Sequence, residues 1–125
     1  MSGEAKRLRR LSDDAIVCDR VVMGESFGQR FMGLMGRASM DEGEGLYLPT
    51  NSIHMMFMRF PIDALFVSKP GHDGGRRVVG VRPDLPPWRG LVLPVRGAEA
   101  VVEMPAGTLA RSDVSLDDEV VLEPA

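Results

Sequence analysis

Cysteine is almost missing from this chain: Cys18 stands alone among 125 residues. A single thiol closes no internal disulfide, and without a CxxC neighbour it starts no structural zinc site. Beside Ile16 and Val17 it reads as a small hydrophobe on a strand. Long apolar runs are also lacking. No stretch approaches the roughly 20 residues of a helical membrane span, and the first residues carry no apolar signal core, so a cytoplasmic protein is expected. Positive excess is missing too. A net charge of −3 with a pI of about 5.3 counts against a dedicated nucleic-acid binder. There are only two histidines, His54 and His72. His72 sits in the turn-like KPGHDGG, which matches no calcium loop, and the donor set falls short of a zinc site. The GEG at residues 43–45 is too short for a dinucleotide fingerprint, and no GxxxxGK[ST] loop occurs. No cofactor and no metal is expected.

What is present suits one globular domain. A chain of 125 residues buries about two-thirds of its unfolded surface and needs no covalent staple. Hydrophobic residues at 44% and charged ones at 26% fall in the ordinary globular range, which argues against disorder. The domain is placed at residues 13–125. Residues 1–12, with Lys6, Arg7, Arg9 and Arg10 clustered, read as a flexible basic arm, either solvated or contacting phosphate or lipid.

Short elements alternate with Gly and Pro punctuation. Residues 15–23 (AIVCDRVVM) are rich in β-branched side chains and predict a strand. Ser26 with Gln29 forms a capping box, and Phe27, Phe31, Leu34 and Met35 share one helical face. Residues 46–48 predict a short strand. In residues 52–58 (SIHMMFM) the period of two puts Ile53, Met55 and Phe57 on one face and His54, Met56 and Met58 on the other. Residues 62–67 and 76–82 read as a hairpin around the 69–75 turn. A Pro-rich loop at 83–90 carries Trp88, the only tryptophan. Strands follow at 91–95, 99–104 and 119–123, with one short helix within 105–112. The pattern predicts an α+β, predominantly β domain: a compact barrel-like or rolled antiparallel sheet with one or two short helices, curled to hide its edges.

Four segments in this order carry a family resemblance: RFMGLMGR (30–37), GEGLYL (43–48), SIHMMFMRFPIDALFV (52–67) and EAVVEMPAG (99–107). Over roughly residues 16–123 the chain resembles the family catalogued as domain of unknown function 192. The resemblance implies a compact β-rich, barrel-like domain with short helices, and no established activity or ligand. Many relatives read Trp-Met-Lys-Asn-Thr where this chain has Phe57-Met58-Arg59-Phe60. Many also carry Gly-Asp where Asp117-Asp118 stand here.

The polar cluster to test is His54, Arg59 and Asp63, supported by Arg30 and Arg37. A carboxylate on a half-buried strand is expensive without partners, so Asp63 either pairs with an arginine or accepts backbone N–H bonds. Two arrangements fit. In one, the arginines fork onto a small anionic ligand, with His54 donating or titrating beside it. In the other, the arginines neutralise Asp63, and His54 is a satisfied core residue. Trp88 is either a lid packed on the core or an anchor for a partner. Met32, Met35, Met55, Met56 and Met58 either line an adaptable groove or fill the core.

Three functions are therefore kept in view. The first is a binding module for a small anionic molecule or a peptide, using His54, Arg59, Asp63, Arg30, Arg37 and Trp88. The second is a hydrolase-type enzyme using His54 with Cys18 or a carboxylate; a carboxylate pair such as Asp63 with Glu99 would also support acid–base work. The lack of a recognisable nucleophile, base and orienting group makes an enzyme the less favoured reading. The third is an accessory domain that acts through its surface.

Overall fold

The computed structural model describes residues 6–24 and 37–125. The helix expected from Ser26, with its Phe27, Phe31, Leu34 and Met35 face, lies outside the described residues, as does Arg30. The strands are β1 (Lys6–Arg10), β2 (Ile16–Met23), β3 (Glu44–Leu48), β4 (Ile53–His54), β5 (Ile62–Val67), β6 (Arg76–Leu85), β7 (Leu91–Val92), β8 (Ala100–Pro105) and β9 (Glu119–Pro124), with a short helix α1 (Thr108–Ser112). Seven of them close into a barrel in the order β1-β2-β3-β8-β5-β6-β9, while β4 and β7 form a separate two-stranded ribbon. This is the barrel-like, predominantly β architecture expected, with antiparallel pairing throughout the barrel except between β2 and β3, which run parallel. No helix among the described residues is long and apolar enough to cross a membrane.

Two apolar layers explain which strands sit centrally. One cluster draws on β1, β2, β5, β6, β8 and β9, through Leu8, Cys18, Val21, Leu65, Val67, Val78, Val102, Met104 and Val120, and is the barrel interior. Leu109 of α1 and Val114 join it. The second cluster lies on the opposite face of β3, β5 and β8, where Leu46, Leu48, Ile62, Ala64, Phe66 and Val101 meet Ile53, Met55, Met58, Phe60 and Val92. β5 is therefore covered on both sides, and all six of its residues are buried. That accounts for the unbroken apolar run IDALFV apart from Asp63. At about 2 kcal/mol per fully buried large side chain, the two layers are the main stabilising term.

The first strand corrects the expectation of a loose basic arm. Lys6–Arg10 pairs with β2 on one side and β9 on the other, closing the barrel. Leu8 points into the interior, and the arginines beside it meet acids. Arg7 and Arg9 donate to Glu123 at 2.6 and 3.0 Å, and Arg10 donates to Asp13 at 2.9 and 3.0 Å. These bonds hold the Glu123 and Asp13 carboxyls down at about 2. A run of arginines thus reads as a seam strand once Glu123, far away in sequence, is known as the partner of Arg7 and Arg9.

Candidate functional site

The ribbon of β4 and β7 is the part of the fold whose surface does not match its chemistry. Ile53 pairs with Val92 and His54 with Leu91. Ile53 and Val92 turn inward onto the outer face of the barrel wall, so His54 and Leu91 turn outward. A ribbon that covers a core on one face is expected to be polar on the other. Here Leu91 and Leu93 stand well exposed, as does Met56 two residues beyond β4.

Two backbone reversals add aromatic rings to that face. Met58 N–H donates to the Met55 carbonyl at 3.1 Å, so residues 55–58 form a turn with Phe57 in left-handed backbone at φ 69°. The reversal breaks the period of two predicted for residues 52–58. Met58 goes inward and is buried, while Phe57 swings out and is 50% exposed. Trp88 is likewise left-handed at φ 69°. Its N–H donates to the same Met55 carbonyl at 2.8 Å, and Met55 N–H donates to the Gly90 carbonyl at 2.9 Å. The Phe57 and Trp88 rings then meet edge to face, 5.0 Å between centroids at 62°. Trp88 is 56% exposed, so it is not a lid on the core.

Gly90 makes this loop possible. A Cβ there would sit 2.6 Å from Met55 Cγ and 2.9 Å from the Pro86 carbonyl oxygen. Cations flank the patch. Arg59 follows the Phe57 turn and Arg89 follows Trp88, both exposed. Residues 49–62 and 86–98 contain no aspartate or glutamate at all. The patch is apolar at its centre and cationic at its edge.

The residues singled out from sequence separate into two groups. His54, Arg59 and Trp88 belong to this outer ribbon and its loops. Asp63 does not: it is 1% exposed on the inward face of β5, and its carboxylate is filled by the protein's own backbone. Asp84 N–H reaches Oδ1 at 2.8 Å, and Gly107 and Leu109 N–H reach Oδ2 at 3.1 and 2.8 Å. Of the two partners expected for Asp63, backbone N–H groups are the ones found, and the side chain tethers the β6 irregularity at left-handed Asp84 to the start of α1. Arg37 is also engaged. It forks onto Glu44 at 2.5 and 2.9 Å, which raises its own pKa and lowers that of Glu44. The five-residue anion pocket expected around Asp63 therefore does not assemble from Asp63 and Arg37.

The hydrolytic arrangements fare no better. Cys18 is fully buried in the barrel interior, and burial, with Asp19 nearby, pushes its thiol up to about 12. It is separated from outward-facing His54 by the barrel wall. Glu99 lies one residue before β8, whose Ala100 pairs with Val67 while Met104 pairs with Asp63. Strand rise then puts Glu99 roughly 16 Å along the sheet from Asp63. Of the methionines, Met55 and Met58 are core, Met56 is exposed, and Met32 and Met35 lie outside the described residues.

The sequence pattern had offered Met56 as a groove residue but did not single out Phe57, Leu91 or Leu93. The signal was weak: only the absence of acids on both segments and the PPWRG turn set them apart. It also missed Glu103, a carboxyl 7% exposed on the outer face of β8. Its cross-strand neighbours are Leu46 and Ala64, and burial among them pushes its pKa up to about 7.

Comparisons with known proteins agree on the family and leave its role open. The family model described as DUF192, "Uncharacterized ACR", matches residues 10–122. A UPF0127 protein of Thermococcus sibiricus is 33% identical over 106 residues, covering 81% of this chain, which spans 64% of that relative's length. Among solved structures, a protein of Sinorhizobium meliloti 1021 described as a candidate transcription regulator aligns with a TM-score of 0.74 at 24% identity, over 98% of this chain and 96% of its own. A protein of unknown function from Novosphingobium aromaticivorans aligns at 0.70 and 24% identity, over 93% of this chain and 82% of its own. At that identity the two structures speak for the fold alone.

Proposed function

The chain belongs to the DUF192 family of uncharacterised proteins, and from that premise we propose that it is a peptide-binding module whose docking surface is the outer face of the β4–β7 ribbon. The observation that carries this reading is the exposed set Met56, Phe57, Trp88, Leu91 and Leu93, held on a rigid two-stranded base and edged by Arg59 and Arg89. Contiguous apolar surface rimmed by charge marks interaction sites. Aromatic anchors with a nearby arginine are the residue types that dominate binding energy. The partner that fits is a peptide with one or two large apolar side chains and aspartate or glutamate beside them. The apolar side chains would lie against Phe57 and Trp88, and the acids would meet Arg59 and Arg89.

Of the two ligand types open at the outset, the peptide is favoured over a small anion at this face, because Asp63 and Arg37 are already bound within the protein. Nucleic acid, which the description of the Sinorhizobium neighbour would suggest, is disfavoured by the net charge of −3.

Trp88 supplies the test, being the only tryptophan. A displayed peptide library is selected on the wild-type chain and, in parallel, on the Phe57→Ala/Trp88→Ala double variant. Wild type should enrich acidic sequences with aromatic or aliphatic centres, and a selected peptide should shift Trp88 emission to the blue on titration. Enrichment that is equal on the double variant, or that favours basic peptides, refutes the reading.

A further inference from the structure

A concave site lies on the barrel wall, between two turns that cross β6. Its floor is Val78 and Val79, and its walls carry Arg77, Arg96, Leu116 and Asp117 around a hollow of about 290 Å3. The turn bearing Arg96 is pressed onto β6, since a Cβ on Gly80 would sit 3.1 Å from Val95 Cγ1. The turn bearing Leu116 and Asp117 is tied down by two backbone bonds: Asp117 N–H to the Val78 carbonyl at 3.0 Å, and Val78 N–H to the Asp118 carbonyl at 2.8 Å. The hollow is thus a product of fixed backbone on three sides.

Its charge is unusual. Arg77 and Arg96 come from different elements, yet both line it. Among the described residues, neither side chain makes an ion pair or side-chain hydrogen bond, in contrast to Arg7, Arg9, Arg10, Arg37, Arg76 and Arg111. A round hollow of 290 Å3 is about 8 Å across, no wider than the ~8 Å screening length at physiological salt, so one occupant would feel both guanidiniums. Asp117 on the wall offsets one of the two positive charges. Glu119, the Cα partner of Arg77 on β9, is exposed at the margin. With Glu119 counted the formal charge balances, and what the hollow offers is two guanidiniums without an ion pair beside the apolar surface of Val79 and Leu116.

We infer that this hollow is a binding site for a small aliphatic monocarboxylate. The carboxylate would take the forked donors of Arg77 and Arg96, and the short alkyl group would lie on Val79 and Leu116. A phosphate dianion suits it less, because Asp117 repels a second negative charge and the only floor side chain facing it is Val79, Val78 pointing into the barrel. The site stands apart from the ribbon surface and does not depend on it.

The test is a titration of isotope-labelled full chain, followed through its backbone amides at about 0.15 M salt. Isovalerate should shift Arg77, Val79, Arg96, Leu116 and Asp117 saturably, with a dissociation constant of roughly 1–10 mM. Arg77→Gln and Arg96→Gln should each weaken binding about tenfold. Asp117→Asn, which asparagine's tolerance of left-handed backbone permits, should tighten it several-fold. Uncharged isovaleramide should give no saturable shift. The inference is overturned if isovalerate fails to saturate, if it binds the arginine variants as well as wild type, or if inorganic phosphate binds more tightly. It is overturned too if isovalerate moves the Trp88 indole signal rather than the amides of the hollow.

Discussion

Phe57 and Trp88 hang from one carbonyl. The Met55 oxygen accepts both the Met58 N–H that closes the Phe57 turn and the Trp88 N–H, and the two rings meet 5.0 Å apart. Both residues take left-handed backbone, which costs an L-residue of the order of 1 kcal/mol. The surrounding turns impose it, and the outcome is an aromatic pair fixed in place yet open to solvent. An edge-to-face pair is worth about 1 kcal/mol beyond its area. Phe57→Ala should therefore lower stability by about that much in urea unfolding, while abolishing detectable binding of any peptide selected on wild type.

Gly90→Ala tests the mount rather than the rings. A methyl 2.6 Å from Met55 Cγ and 2.9 Å from a carbonyl oxygen must displace the 86–90 loop. Overpacking of this kind costs about 1–3 kcal/mol. Urea unfolding should show that loss. The Trp88 emission of the folded variant should move from its wild-type position, since the indole no longer leans on Phe57.

Asp63→Asn removes the charge that three backbone N–H groups share. An amide keeps one acceptor and adds a donor that faces donors. The expected loss is on the order of 4 kcal/mol, as for other buried, multiply bonded carboxylates. Hydrogen exchange should locate the damage at Asp84, Gly107 and Leu109.

Glu103 makes stability fall as pH rises. Its pKa is raised from the ordinary 4.5 to about 7 in the folded chain, so the folded state holds a proton that the unfolded state has already lost. The stabilisation is complete below about pH 4.5 and is lost between there and about pH 7, by about 3 kcal/mol in all. Glu103→Gln should match wild type near pH 4.5 and exceed it by about that amount at pH 8. Glu123 and Asp13 work in the opposite sense. Lowered to about 2 by their arginines, they add stability that is lost as pH drops from about 4.5 toward 2. Chemical denaturation across pH 2–8 reads both limbs.

Cys18 should be inert in the native protein. With no exposed surface and a thiol pushed up to about 12, it reacts only when the barrel opens. Labelling by a thiol reagent should follow the global unfolding rate and accelerate with denaturant. Rapid labelling of folded protein would mean a local opening at β2.

Most of the strands were legible because their signals are local. Residues 62–67 are apolar throughout and became the doubly covered β5, and the 69–75 turn joined it to β6. The errors have a common physical source. At Lys6–Arg10 the strand that pairs with this basic stretch, and the Glu123 that takes Arg7 and Arg9, stand more than a hundred residues away. At Phe57 one left-handed residue inverted the in-and-out order that periodicity assumes. At Asp63 the sequence announced a costly buried charge correctly, but its partners were main-chain groups, which no side-chain pattern reveals.

The seam between β1 and β9 also governs how the molecule is made. Lys6 lies opposite Pro124 and Arg10 opposite Val120, so the cylinder stays open until Glu119–Pro124 has cleared the ribosome. Until then Leu8, buried in the finished core, lacks its neighbour Leu122 on β9. The same adjacency means a short linker could run from β9 into β1, with new termini cut in the 69–75 turn. Such a permutant would turn the slowest, longest-range pairing into a local hairpin and should fold faster than the natural order.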